Sequence, residues 1–565
     1  MLKLDTRQSF TTLLDALTLT EADDRPAITY LATDEEPIVV TRRVFRETAE
    51  RYAAALTATG IGPHDLVIIA HTQNLESIYL FWGCLLVGAI PSMFPTLTEK
   101  LDPDVYMGNM ADLVRLSDVA AVLTTDEFAS LLRPVVGCPV LGSRKLAAVE
   151  LTETSKSERP SPDEVAFLQH SSGTTGLQKG VALSHEAVLN QVAAYSEAVA
   201  LSETDVIVSW LPLYHDMGLI AGFLMPLIQG VHLVLMSPFD WVRHPSLLLH
   251  AIDRYQGTLC WLPNFAYNHC ARRIRKRDSG GLSLSSMRLF INCSEPVRYD
   301  SHELFRERFA DNGVREEMLG VSYAMAENVF AVTQTPPGMP ARLDLIDNAV
   351  LQREAYAQTA TPDDPAAQTR VSCGKPIPGT AVYVVDGEGN ALPDRMVGEL
   401  AIAGNCLLTG YYRRPDLDPF TADGRYRTGD LGYMVGDDVF VIGRTKDLII
   451  NAGKNVYPQD IEAIVNGVDG VHPGRAVVFG VPDEREGTEL LAVVAEVTTE
   501  DIDERHRINR TIRKEVATQS AVTVTYVELV GPKWLLKTSS GKIARLANRE
   551  KWLHESGRLS QSSEN

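Results

Sequence analysis

Paired cysteines are missing from this sequence. The seven present (Cys84, Cys138, Cys260, Cys270, Cys293, Cys373, Cys406) stand singly, with no CxxC and no ligand spacing shared with histidines. That excludes a disulfide scaffold and a cysteine-based zinc site, and fits buried thiols in a reducing, cytoplasmic setting. Positive charge is also short: 53 Lys and Arg against 73 Asp and Glu leave a formal charge of -20. A general binder of nucleic acid or anionic membrane is thereby disfavoured, and small molecules or proteins are the expected partners. A long apolar run is lacking too. The first residues, MLKLDTRQSFTTLLDALTLTEADD, contain acids and no apolar core, so no signal peptide is expected. The stretch LIAGFLMPLIQGVHLVLM (219–236) is interrupted by Pro226, Gln229, Gly230 and His232 and reads as a buried helix followed by a strand, so no membrane span is expected.

What is present is a chain of 565 residues, too long for one core, with 45% hydrophobic residues. Its first four hundred residues alternate β-branched runs with helical patterns. RRVFRETAERYAAALTATG puts Val44, Phe45, Ala49, Tyr52, Ala53 and Leu56 on one helical face and ends at Gly60. DLVIIAH, LESIYLFWGCLLVGA and IPSMF then read as strand, helix and strand, a βαβ unit of a parallel sheet. DVIVSW, VHLVLM, GTLCWL and MRLFIN continue the alternation, predicting a large layered α/β body. From about residue 371 short runs separated by Gly-Asp and Asp-Gly turns predict a small antiparallel or distorted barrel unit. The expected division is a body over 1–444, with 371–444 as its barrel-like part, and a small α+β domain over 445–565. In that domain Pro458 opens a helix whose inner face carries Ile461, Ile464 and Val465.

One loop carries chemistry on its face. HSSGTTGLQKG (170–180) combines Ser171, Ser172, Gly173, Thr174, Thr175, Gly176 and Lys179, which gives permissive backbone, hydroxyl donors and a cation, ahead of the helical pattern HEAVLNQVAAYSEAVA. That is a phosphate cradle. It is not a Walker A loop, because Lys179 stands between Gln178 and Gly180. Taken alone it is equally a flexible connection.

Six further segments follow in order: WLPLYHDMGL (210–219), INCSEPV (291–297), SYAMAEN (322–328), RYRTGDLGY (425–433), VIGRTKDLIINAGKNVYPQDIE (441–462) and LLKTSSGKIAR (535–545). Together they resemble the core motifs of adenylate-forming enzymes, the superfamily of acyl- and aryl-CoA synthetases, peptide-synthetase adenylation domains and luciferases. The resemblance runs from about residue 30 to 555 and is nearest to fatty acyl-AMP ligases. A surplus around 339–370 falls where those ligases carry an insertion linked to hindered domain movement and poor use of CoA; a tolerated surface loop is the alternative.

The resemblance implies attack of a carboxylate on the α-phosphate of ATP and release of pyrophosphate. This brings two anions together and needs positioning and charge neutralisation more than a protein nucleophile. By motif, Thr174, Thr175 and Lys179 would hold the β- and γ-phosphates, and Glu327 would take Mg2+ bridging phosphate oxygens. Asp430, assisted by Arg444, would accept the ribose hydroxyls. Tyr323 and the CSEP segment (Ser294, Glu295, Pro296) would wall the adenine, and Ala324, Met325 and Ala326 would belong to the same nucleotide site, with the Ala324 methyl at the expected floor of the acyl pocket. Lys542 would reach the carboxylate and α-phosphate from the small domain, His215 would line the carboxylate end of the acyl pocket, and Lys446 would be the hinge. The acceptor would be a phosphopantetheine thiol on an acyl-carrier protein, or free CoA. ARRIRKR (271–277) is the densest candidate for docking an acidic carrier, against the plainer reading of a solvated helical face.

Three departures bear on the acid. Gln178 replaces the usual Pro, Ala324 the usual Gly before MAE, and NCSEP a GAEP-like stretch, which leaves room for a shorter or aromatic acid, or an unusual oxyacid. A CoA ligase and a non-catalytic nucleotide-binding relic remain the competing readings, the relic being opposed by the joint retention of Glu327, Asp430, Arg444 and Lys542.

Overall fold

The computed structural model describes residues 10–18, 23–97, 103–148, 159–170, 179–483, 488–520, 522–538 and 541–557. Its largest element is a nine-stranded sheet in the order Lys375–Pro376, Ala331–Gln334, Leu319–Ala324, Leu289–Asn292, Leu259–Leu262, Val206–Ser209, His232–Met236, Pro26–Leu31, Ile38–Thr41. The middle strands pair in parallel and only the outer ones antiparallel. The four apolar runs read from the sequence lie side by side at its centre. They are nearly continuous in apolar residues because both faces of a parallel sheet are covered.

A second, all-parallel sheet contains Ile90–Met93, Leu66–Ala70, Ala121–Thr124 and Val140–Gly142. Helix Leu75–Leu86, capped by the Asn74 side chain on Ser77 N, is buried over most of its circumference. Helix Arg42–Ala58 packs beside it on a stripe that differs from the expected one, with Arg42, Ala54 and Ala55 buried as well. Phe45, Ala49, Ala53 and Leu56 are buried, whereas Val44 is 39% exposed and Tyr52 half-buried, because one residue off the stripe already turns about 100° away from the core.

Strands Thr380–Val385, Gly398–Gly404, Tyr426–Val435 and Asp438–Arg444 make a four-stranded antiparallel sheet. After it, strands Val471–Asp483, Thr488–Val497 and Val524–Val530 carry helices Pro458–Asn466, Ile502–Ser520 and Arg545–Glu555. Of the inner helical face expected here, Ile461 and Val465 are buried and Ile464 is partly so.

The segment 339–370 is folded and not a plain surface loop. Strands Leu343–Asp347 and Ala367–Val371 pair antiparallel, and helix Asn348–Glu354 sits between them. Ile346, Leu351 and Ala357 share a core with Tyr433, Phe440, Ile442 and, from beyond residue 445, Tyr457. Arg370 adds a bidentate pair to Asp460, at 2.9 and 2.8 Å, with both side chains nearly buried. These contacts join the segment to the start of helix Pro458–Asn466.

Candidate functional site

The Gly/Ser/Thr segment 170–180 ends at strand Gly180–Ser184, which pairs on one edge with Val165–His170 and on its other edge with the short strand Gly410–Tyr411. That pairing puts the Tyr411 ring 4.8 Å from the Lys179 ammonium, a cation–π distance. The Tyr411 hydroxyl donates to Glu327 Oε1 at 3.1 Å and meets the Tyr426 hydroxyl at 3.1 Å. Residues Ser171, Ser172, Gly173, Thr174, Thr175 and Gly176 lie outside the described residues.

Glu327 follows strand Leu319–Ala324, with Met325 and Ala326 forming the turn into it. Two residues on, Val329 has φ +60° and ψ -52°, closed by Phe330 N donating to Asn328 O at 2.6 Å. A β-branched residue in that conformation is strained. It persists because Val329 is fully buried and Leu408 N donates to the Glu327 carbonyl. Burial pushes the Glu327 carboxyl up, while Tyr411 and Arg444 favour its anion. No group of three His, Cys, Asp or Glu able to hold a metal occurs among the described residues. A single hard carboxylate fits a Mg2+ shared with phosphate oxygens, not a cage made by protein alone.

Asp430 is buried between two partners. The Tyr323 hydroxyl donates to its Oδ2 at 2.6 Å and Arg444 Nε to its Oδ1 at 2.9 Å. Strand pairing sets the second contact, since Asp430 and Arg444 are cross-strand partners. Each carboxylate oxygen keeps a further lone pair for another donor. Arg444 itself is about half exposed, and Lys446 two residues on is exposed, its ammonium held below the usual lysine range by desolvation and by Arg444.

The second cluster is built on a tight turn. Leu211 to Asp216 run from strand Val206–Ser209 into a π-helix, Met217–Leu224, and the Asp216 carboxylate accepts from Met217 N at 2.8 Å. Gly218 is required there, because a Cβ would overlap the Pro212 carbonyl oxygen. His215 Nε2 is buried with no partner, and desolvation, then the charge of Lys542, lowers the imidazole to about 3. The ring is therefore neutral near pH 7. Burial raises Asp216 and Glu295, and Lys542 opposes the rise in both. Glu295 Oε2 accepts from Phe265 N at 2.9 Å. Ser294 before it has φ +69°, a costly conformation for a residue other than glycine, and Pro296 after it is exposed. Lys542 projects from a turn closed by Thr538 N on Lys542 O and Gly541 N on Thr538 O, each 2.8 Å, and is exposed.

Lys542 thus comes from the far end of the chain to the neighbourhood of His215, Asp216 and Glu295. Asp216 in turn acts on Glu327, so the two clusters are contiguous. Sequence reasoning missed Tyr411 and Tyr426. The only signal for Tyr411 was the GYY that ends a short apolar run, and it acquires meaning through a pairing with residues 180–184.

A family model described as AMP-binding enzyme matches residues 18–412, and one described as AMP-binding enzyme C-terminal domain matches 453–549. A medium-chain-fatty-acid–[acyl-carrier-protein] ligase of Moorena producens is 31% identical over 97% of this chain and 96% of its own length. A 4-hydroxyphenylalkanoate adenylyltransferase of Mycobacterium tuberculosis is 32% identical over 87% of this chain and 82% of its own. Among solved structures, one from work on fatty acyl-adenylate ligases of E. coli and L. pneumophila superposes with TM-score 0.89 at 26% identity, covering 97% of this chain and 98% of that one. No helix among the described residues is long and apolar enough to cross a membrane.

Proposed function

We propose, from the premise that this chain belongs to the AMP-binding enzyme family and is an adenylate-forming ligase using ATP, that it activates a fatty or arylalkanoic acid and passes the acyl group to a phosphopantetheine thiol on a carrier protein, in the cytoplasm. The observation that carries the reading is the convergence of Lys542 with His215, Asp216 and Glu295 beside the Lys179, Glu327 and Asp430 cluster.

In the first step a carboxylate oxygen attacks the α-phosphorus, the bond to the β-phosphate oxygen breaks, and pyrophosphate leaves. Lys542 approaches the two anions and cancels charge as the five-coordinate state forms. The neutral His215, whose Nε2 has no protein partner, hydrogen-bonds the acid and fixes it in line. Lys179 and the loop before it hold the β- and γ-phosphates. Tyr411 keeps Lys179 and Glu327 at a set separation by its ring and its hydroxyl. Glu327 would hold Mg2+, which would supply charge neutralisation on the pyrophosphate. Asp430, aligned by Tyr323 and Arg444, takes the ribose, and the residues 294–296 and 323–326 enclose the base. In the second step the thiol sulfur attacks the acyl carbon and AMP leaves. For this, residues 445–565 rotate about Lys446 and withdraw Lys542.

A carrier protein is favoured over free CoA by the folded insertion. Rotation has to disturb Tyr457 in a shared core and the enclosed Arg370–Asp460 pair, which disfavours a small diffusible acceptor that brings little docking energy. The test is mass-spectrometric detection of adenylates from Mg-ATP and a panel of short to long fatty acids and phenylalkanoic acids without thiol, followed by carrier protein and CoA in parallel. A mixed anhydride with one group of acids, passed faster to the carrier, is expected. Absence of any adenylate despite ATP binding overturns the acid class, and faster transfer to CoA overturns the acceptor.

A further inference from the structure

A surface patch beside the candidate site has a composition unlike the rest of this acidic chain. Phe239 and Val242 on helix Pro238–Arg243 and Phe265 on helix Asn264–Arg273 are 49%, 43% and 42% exposed. The two helices are neighbours: His269 Nε2 lies 3.3 Å from the Val242 carbonyl, and Trp241 packs against Phe265 and His269 at 6.2 and 5.2 Å between ring centroids. Arg243, Arg272 and Arg273 close the last turns of those helices and are exposed. None of the three has an ion-pair partner among the described residues, whereas Arg275 and Arg277 share Asp278. Three unneutralised guanidinium groups around three exposed apolar side chains is therefore a local inversion of a net charge of -20.

The patch also connects inward. Phe265 donates its backbone N–H to Glu295, and its ring meets Trp210, at 6.2 Å, in the segment that leads to His215. A protein bound on the outer side of Phe265 is thus separated by that residue from Glu295 and from Trp210.

We propose that this patch is the docking surface for an acidic acyl-carrier protein. Apolar contact at Phe239, Val242 and Phe265 would be flanked by charge-assisted pairs from Arg243, Arg272 and Arg273 to the carrier's carboxylates, so that its thiol is delivered past Phe265. The inference rests on the acceptor assigned above. Charge complementarity selects an acidic protein, and the apolar centre distinguishes it from a small anion, which would use the arginines alone.

The test uses the full chain and the double variant Arg272→Glu, Arg273→Glu, with a fluorescently labelled, phosphopantetheinylated acyl-carrier protein of the acidic fatty-acid-synthase type as probe. Anisotropy titration reads binding. Mass spectrometry reads adenylate formation without thiol, then transfer to the carrier and to free pantetheine. The variant is expected to bind the carrier at least tenfold more weakly, to lose most of the salt dependence of binding, and to form adenylate and acylate pantetheine within twofold of the unsubstituted protein. Unchanged carrier binding, or no binding by the unsubstituted protein, overturns the docking surface. Equal loss of pantetheine transfer also overturns it, because the patch would then shape the thiol route. Failure of adenylate formation in the unsubstituted protein speaks against the proposed acid class, while the titration still decides the patch.

Discussion

The region beyond residue 445 meets the body at two places of opposite character. Near its start, Tyr457 is 2% exposed in a core shared with the insertion, Asp460 is clasped by Arg370, and Arg298 donates to the Gln459 carbonyl at 3.0 Å. Near its end, Lys542 stands exposed on a turn and acts on His215, Asp216 and Glu295 through charge. The first contact excludes water and is costly to break, while the second is wet and cheap to withdraw. An enclosed contact and an exposed one are therefore separated along the same segment: what anchors the region to the body lies some eighty residues upstream of Lys542.

Breaking the clamp gives the largest effect. Arg370→Ala leaves Asp460 enclosed without its partner, and the expected loss is about 3–5 kcal/mol of unfolding free energy. Denaturant unfolding measures it, and transfer from preformed adenylate to CoA is expected to rise as the segment is released. Full stability with unchanged CoA transfer would mean that the clamp holds nothing. Lys542→Ala inverts the outcome. Adenylate formation is expected to fall about 10²–10³-fold while the unfolding midpoint stays put, because an exposed side chain that serves developing charge adds little to the fold. Adenylate formation within threefold of the unsubstituted protein would remove Lys542 from the first step.

Acid is expected to act on the body. His170, His185 and His302 are all buried there, and desolvation lowers each to about 4 from the ordinary 6.5. Below the unfolded value the unfolded chain binds more protons than the folded one. The contribution is thus complete above pH 6.5 and is lost as pH falls toward 4, on the order of 3 kcal/mol for each group. Unfolding free energy followed from pH 7.5 to 4.5 checks this, and a flat profile would contradict it.

Much of this was legible in the sequence, for a physical reason. The runs DVIVSW, VHLVLM, GTLCWL and MRLFIN declare buried parallel strands because both of their faces are covered, and they became neighbours in one sheet. Glu327, Asp430, Arg444 and Lys542 were marked by short motifs with local spacing. Hidden were the features made by distant pairing. Arg370 and Asp460 are 90 residues apart, and the two-residue strand Gly410–Tyr411 is too short to leave any period. Nor does composition announce the π-helix after Asp216, since MGLIAGFL is equally compatible with an ordinary helix.

The smallest effect tests the finest division, between the ring and the hydroxyl of Tyr411. Tyr411→Phe keeps the aromatic face over Lys179 and deletes the donor to Glu327 Oε1. A hydrogen bond to a charged group contributes about 1.5–3 kcal/mol when enclosed, and less where Glu327 is half-buried and can turn to water. The expected outcome is a three- to tenfold rise in the Mg2+ concentration needed for half-maximal adenylate formation, with ATP affinity in excess Mg2+ little changed. Tyr411→Leu removes the ring as well and is expected to weaken ATP binding on top of that shift, read by nucleotide titration. Should Phe and Leu behave alike, the ring contributes nothing at Lys179. Should neither variant move the Mg2+ requirement, the hydroxyl has no part in orienting Glu327, and the strained turn at Val329 alone sets that carboxylate.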